Sequence, residues 1–171
     1  HGGVLAVAGD DHACKSSTLP SQSEFAFMDA EIPVLSPSSI QDVLDFGLHG
    51  WAMSRFSGLW TGLIALADTM DSSAVIRVDP GRLSFTLPAF ETPPGGLSIR
   101  RGDEPMAKEA RLRLLKLPAA RAYVRANRLD RVLIDSPRPR LGVVATGQAV
   151  RDVIEALDAI GLSPDAAADL G

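Results

Sequence analysis

The run Gly9-Asp10-Asp11-His12, followed by Cys14, Lys15, Ser16, Ser17 and Thr18, concentrates the reactive side chains of this chain in one short stretch. Adjacent carboxylates and an imidazole can coordinate a metal or move protons. Lys15 and the hydroxyls can hold an anionic carboxylate substrate. The same composition also suits a solvated turn, and His12 alone suits a structural role as well as a catalytic one. No metal-ligand set is assigned. Cys14 has no second histidine close in sequence and reads as a small buried thiol rather than a nucleophile. Arg55 stands in an apolar, acidic segment between Ser54 and Phe56, where its planar fork suits a carboxylate or phosphate. His49, beside Gly50 near the expected end of a helix, suits the helix dipole.

A loop of this kind acts only where the fold holds it. The apolar run Val4–Ala8, closed by Gly9-Asp10-Asp11, predicts a buried parallel strand ending in a loop. Ligands of open α/β sheets bind beyond the carboxyl ends of such strands, which is where this loop falls. Ser21 with Glu24 predicts a capping box leading into a helix over Phe25–Ala30. Ile32–Leu35 reads as a short strand. Ser38 or Ser39 then caps a helix carrying Val43, Leu44 and Leu48, with Gly47 and Gly50 weakening its end. Leu59, Leu63, Leu66 and Ala67 predict a second helix over Ser57–Asp68. Ala74–Val78 predicts a third strand, stopped by Asp79-Pro80-Gly81. Strands alternating with helices imply a parallel α/β sheet.

Residues 81–138 read as a Pro/Gly-rich linker and basic helices: an edge strand at Leu83–Leu87, a helix over Glu104–Leu117 and, split off by Pro118, a second helix to Asn127. Val132–Ile134 and, better, Arg140–Thr146 are further strand candidates. Gly147 and a helix from Gln148 to about Ile160 come next, as in the first unit of another α/β domain. The expected division is 1–80, 81–138 and 139–171.

Composition bounds the possibilities. The chain has 171 residues, 46% of them hydrophobic and 22% charged, which is enough for a core and too apolar for disorder. No uninterrupted apolar run reaches membrane-helix length, and no secretory signal pattern appears. One cysteine excludes an internal disulfide, a four-thiolate cluster and a cysteine-rich zinc site. The net charge of −4 divides into −7 over residues 1–80 and +3 over 81–171. Residues 98–140 carry twelve basic and five acidic side chains but a single aromatic, Tyr123, so a stacking platform for nucleic acid is lacking and no nucleic-acid partner is expected. The dinucleotide fingerprint and the P-loop are absent, as is a Gly-Asp-Gly opening of a magnesium–diphosphate site. The chain starts at His1 directly before an apolar run, so a piece of a longer protein is expected.

Several stretches together resemble a family. They are His1–His12, Cys14–Pro20 with Gln22-Ser23-Glu24, Ile32–Leu35, Gly47–Gly58, Pro93–Arg100 and Tyr123–Arg131. They are similar to the indolepyruvate ferredoxin oxidoreductases, thiamine-diphosphate-dependent 2-oxoacid oxidoreductases, in the long form that fuses several subunits. The likeness spans most of the chain. It implies that residues 1–80 are the second half of the pyrimidine-binding domain and that residues from about 140 begin a transketolase-C-terminal-like domain. The implied reaction is oxidative decarboxylation of aryl pyruvates, with electrons passing through iron–sulfur clusters to ferredoxin and the acyl group to coenzyme A. Thiamine diphosphate, Mg2+ and 4Fe–4S clusters belong to the whole enzyme, none complete in this chain. The implied partners are the remaining domains or subunits, and the implied location is cytoplasmic, without membrane attachment. By position, Asp10, Asp11, His12 and Lys15 match the catalytic loop, and Gly9, Ser16, Ser17, Gln22, Glu24 and Arg55 match cofactor- or substrate-binding positions around it. Ser21 stands where the family is expected to have histidine, and Pro118 where an aromatic is more frequent. The chain alone is expected to be inactive. The alternative is a non-catalytic scaffold or interaction module that keeps the fold.

Overall fold

Seven residues after Leu59 decide the architecture. A computed structural model describes residues 2–171, and in it Trp60–Leu66 is not a helix but the central strand of a three-stranded parallel sheet. The first helix pattern stops at Gly58, whose φ of 72° is left-handed and whose N–H bonds back to Ser54 O. Beyond it, Thr61, Gly62, Leu63 and Ile64 are buried in succession. An apolar run covered on both faces looks the same in sequence whether strand or helix, which is why Leu59, Leu63 and Leu66 suggested a helix.

The sheet contains β1 (Val4–Asp10), β2 (Val34–Leu35) and β3 (Trp60–Leu66), in the spatial order β1-β3-β2. β1 runs in register with β3 from Val4↔Trp60 to Asp10↔Leu66. Helix α1 (Glu24–Asp29) joins β1 to β2, and α2 (Ile40–Ser57) joins β2 to β3. The chain steps outward past β3 and then back, so connections of one hand place the two helices on opposite faces. The contacts agree. A Cβ on Gly62 would meet the Phe27 ring of α1 at 3.1 Å, whereas a Cβ on Gly50 of α2 would meet Leu5, Leu35 and Thr61 on the other face.

Helix α2 runs unbroken through Gly47 and Gly50 instead of weakening there. Ser39 caps it by accepting the Asp42 N–H at 3.1 Å. At its far end the buried Ser54 hydroxyl accepts the Val4 N–H at 2.8 Å and donates to Leu59 O, tying the helix to the starts of β1 and β3.

Helix α3 (Ala67–Met70) follows β3 directly. Helix α4 (Pro105–Arg111), a π turn at Leu112–Lys116 and α5 (Leu117–Ala126) form one continuous run. Pro118 therefore does not split the helix. Its missing N–H is absorbed where the π turn shifts the hydrogen-bond register. This run completes the core: Ala120 and Tyr123 pack with Leu35, Met53, Leu59 and Leu63. His49 lies inside α2 rather than at its end, and its Nδ1 shares a 3.1 Å hydrogen bond with Tyr123 Oη. Burial lowers the His49 pKa against the opposing pull of Asp45, and burial raises Tyr123 to about 12.

The expected strands at 74–78, 83–87, 132–134 and 140–146 form no ladder. Side-chain amides hold two of them instead. Gln41 brackets Arg77 at both its N–H and its carbonyl, and Asn127 does the same for Thr86. Helices α6 (Gln148–Ala159) and α7 (Pro164–Leu170) close the described chain, the second of them not foreseen from sequence. Among the described residues no helix is long and apolar enough to cross a membrane.

Candidate functional site

Alternation along β1 sorts its last residues. Asp10 falls to one side of the extended chain and Asp11 to the other, and His12 begins the turn beyond them. Asp11 then closes a neck. Its carbonyl accepts the Ser21 N–H at 3.1 Å, and its N–H bonds to the Ser21 hydroxyl at 2.9 Å. Residues 12–20 form a loop above that neck, turned by Cys14 at a left-handed φ of 54°.

The Asp11 carboxylate fills the inside of this loop. It accepts the backbone N–H groups of Lys15, Ser16 and Ser17 at 2.8, 2.7 and 2.8 Å, and the Ser16 hydroxyl at 3.3 Å. These donors, Ser16 N–H foremost, hold the carboxyl down at about pKa 2 although burial acts the other way. Three successive N–H groups make a nest that would suit an external anion, but here the chain supplies its own.

Asp10 is also buried and is held by Ser23, whose N–H and hydroxyl reach its oxygens at 2.9 and 2.7 Å. The expected capping box is thereby replaced. Ser23, not Ser21, sits at the α1 N-cap, and neither hydroxyl caps the helix, because Asp10 and the Asp11 N–H engage them.

Lys15 reaches across the sheet end to Asp68 at 2.8 Å, joining the loop to the start of α3. Asp68 raises the already high pKa of that lysine. His12 Nε2 lies 4.0 Å from Glu24 Oε1, and Glu24 Oε2 is buried without a hydrogen-bond partner. His12, Ser16, Ser17 and Thr18 are exposed, as is Gln22. A Cβ on the exposed Gly9 would meet nothing within 4 Å, so bare backbone stands beside the loop.

Nine of the ten residues singled out from sequence therefore lie together at the carboxyl end of β1. Arg55 does not join them. It is exposed on the last turn of α2 and lies against Gly3, at the opposite end of β1. Six residue steps of strand separate the two ends, about 20 Å. The reason is directional: α2 returns antiparallel to the strands, so its last turn lies over their starts. Ser23 and Asp68 were missed. Ser23 stands two residues before the expected helix start at Phe25, a signal available in sequence. Asp68 was hidden by the misread helix over Ser57–Asp68.

Against protein-family models, curated proteins and solved structures, the chain finds no match. The loop itself has two chemically distinct sides. Its inward side holds Asp11, saturated by the loop's own donors. Its imidazole and hydroxyl side faces outward, beyond the sheet, on a backbone braced at the Asp11–Ser21 neck, at the Asp11 nest and at Lys15–Asp68. A separate concavity of about 1150 Å³ lies between β2, the end of α5 and the extended 129–147 segment. Its walls include Val34, Phe46, Leu133, Leu141 and Val143, and it holds none of these loop groups.

Proposed function

We propose that this chain forms one wall of the active site of a 2-oxoacid oxidoreductase that decarboxylates aryl pyruvates of the indolepyruvate kind. Thiamine diphosphate is its cofactor, ferredoxin its electron acceptor and coenzyme A its acyl acceptor. The observation that carries the proposal is the braced loop at the carboxyl end of a parallel sheet, in the place where the motif resemblance puts the catalytic loop.

The described residues fit one end of that cofactor and not the other. A diphosphate needs free N–H donors or cations, and the loop's N–H nest is filled by Asp11. The diphosphate and its Mg2+ therefore belong to a neighbouring domain. The outward groups fit the thiazolium and substrate end. Gly9 leaves backbone open to close approach, His12 can hold or release a proton, and the Ser16 and Ser17 hydroxyls can orient a 2-oxoacid carboxylate, while Lys15, paired with Asp68, braces the loop. When bound, thiamine supplies the electron sink for loss of carbon dioxide. Asp11 acts here as a positioning residue, holding the loop in the conformation that presents the others.

The test uses the longer enzyme encoded around this chain. His12→Ala is expected to slow indolepyruvate-dependent dye reduction about 100-fold, with thiamine content and affinity retained. An unchanged rate removes His12 from the chemistry. Indolepyruvate-independent thiamine content that vanishes with Ser16→Ala would overturn the assignment of this loop to the substrate end.

A further inference from the structure

Asp10 is a buried carboxylate, and among the described residues no lysine or arginine pairs with it. It is 2% exposed, and among the described residues its carboxylate accepts hydrogen bonds only from Ser23. Among the described residues no lysine or arginine pairs with Glu24 either. Lys15, the nearest basic residue in sequence, is committed to Asp68, and the loop N–H groups are committed to Asp11. A buried carboxylate held only by neutral donors would be stabilised further by a cation at this site.

Two further groups converge on Asp10. His12 is two residues on, in the turn that follows the Asp11 bridge. Glu24 opens α1. Ligand atoms of Asp10, His12 and Glu24 lie within 4.8 Å of one another, and the buried Glu24 Oε2 has no donor. We propose that Asp10, His12 and Glu24 bind a divalent transition-metal ion, with zinc as the reference ion. One imidazole nitrogen with two carboxylates suits zinc or manganese better than magnesium or calcium, which favour all-oxygen sets. The site is separate from a magnesium held by a diphosphate, and with the ion bound His12 is a ligand, so the proton role given to it above belongs to the metal-free loop.

The geometry is close to what such an ion requires. Zinc bonds of about 2.0–2.1 Å bring tetrahedral ligand atoms to about 3.4 Å apart, so the three groups must close by roughly 1 Å. His12 and Glu24 have the freedom to do so, with side chains 46% and 26% exposed. Ser23 already orients Asp10 as outer-shell partners orient a ligating carboxylate. Three protein ligands leave a further position for water. The ion would fasten the loop to the start of α1.

The experiment is a calorimetric titration of the 171-residue chain with zinc chloride. One equivalent is expected to bind with a micromolar or tighter dissociation constant. Zinc should shift the ring resonances of His12 and leave those of His49 unmoved. His12→Ala and Glu24→Gln should each weaken binding about 100-fold, and Ser23→Ala about tenfold. His1→Ala should change nothing. Circular dichroism of each variant checks the fold, and the resonance shifts in the unaltered chain test the site without any substitution. No binding at millimolar zinc, binding that survives His12→Ala, or binding lost with His1→Ala overturns the proposal.

Discussion

Two glycines three residues apart on α2 should respond to alanine with different outcomes. Gly47 and Gly50 both lie inside the helix, so replacing either with alanine removes the same backbone entropy cost, about 0.8–1 kcal/mol. At Gly47 a new Cβ meets nothing within 4 Å, and the whole gain should appear as stability. At Gly50 the same Cβ would sit 2.7 Å from Leu5 Cδ1, 3.2 Å from Leu35 Cδ1 and 3.3 Å from Thr61 Cγ2. Leu5 can swing its tip aside, but Leu35 and Thr61 are buried and the helix must lift. Overpacking of this kind costs about 1–3 kcal/mol. Because the helix term is common to both variants, their difference isolates the packing term. For a chain of this size 1 kcal/mol moves the melting temperature by about 2–4 °C, so the two variants should differ by roughly 6 °C for 2 kcal/mol. Thermal and urea unfolding followed by far-ultraviolet circular dichroism measures this directly. A Gly50→Ala chain that melts at or above Gly47→Ala would refute the close seating of α2 on the sheet.

The loop and the core supply further tests. Asp11→Asn should speed amide exchange at Lys15, Ser16 and Ser17 more than tenfold while leaving exchange in β3 unchanged. The Asp11 carboxyl sits near pKa 2, below its ordinary 3.8, so its contribution is present above 3.8 and is lost as pH falls from 3.8 toward 2. Carbon-detected titration of that carboxyl reads this. His49 is held neutral by burial, so its folded pKa lies below 6.5. Stability should therefore be full above pH 6.5 and decline as pH falls below it, and His49→Phe should remove that slope. Tyr123 runs oppositely, with stability lost as pH rises from 10 toward 12. Tyr123→Phe should cost about 1–3 kcal/mol in urea unfolding, because it leaves the buried His49 Nδ1 without its partner.

The strands and helices that carry local signals were legible. Val4–Ala8 became β1, though the strand runs on through Gly9 and Asp10 and exposes Val4 and Val7 instead of burying them, Ser39 became the α2 cap, and Gly147 with its apolar spacing introduced α6. Parallel α/β character was legible too, from alternation alone. The central strand was not, because burial on both faces erases the period that separates strand from helix. The extended segments after residue 70 carry strand-like composition, yet composition does not supply a ladder partner. Gln41 and Asn127 hold two of them by side-chain amides.

For the candidate site, nearness in sequence sufficed to gather the end of β1, the loop 12–20, Gln22 and the start of α1 at Glu24 into one place, because a loop of nine residues closed at its neck has nowhere else to go. Their roles depended on direction and register. Which carboxylate turned inward was set by the β1 pleat, which sent Asp11 to the N–H nest and Asp10 to Ser23. That Lys15 meets Asp68 while Arg55 lies at the far end of the sheet was set by strand order and by the return path of α2. Membership of the loop was thus written in the order of residues, since that proximity is covalent. Which members remain free to meet a ligand was settled only on folding, since it depends on partners drawn from 53 residues away.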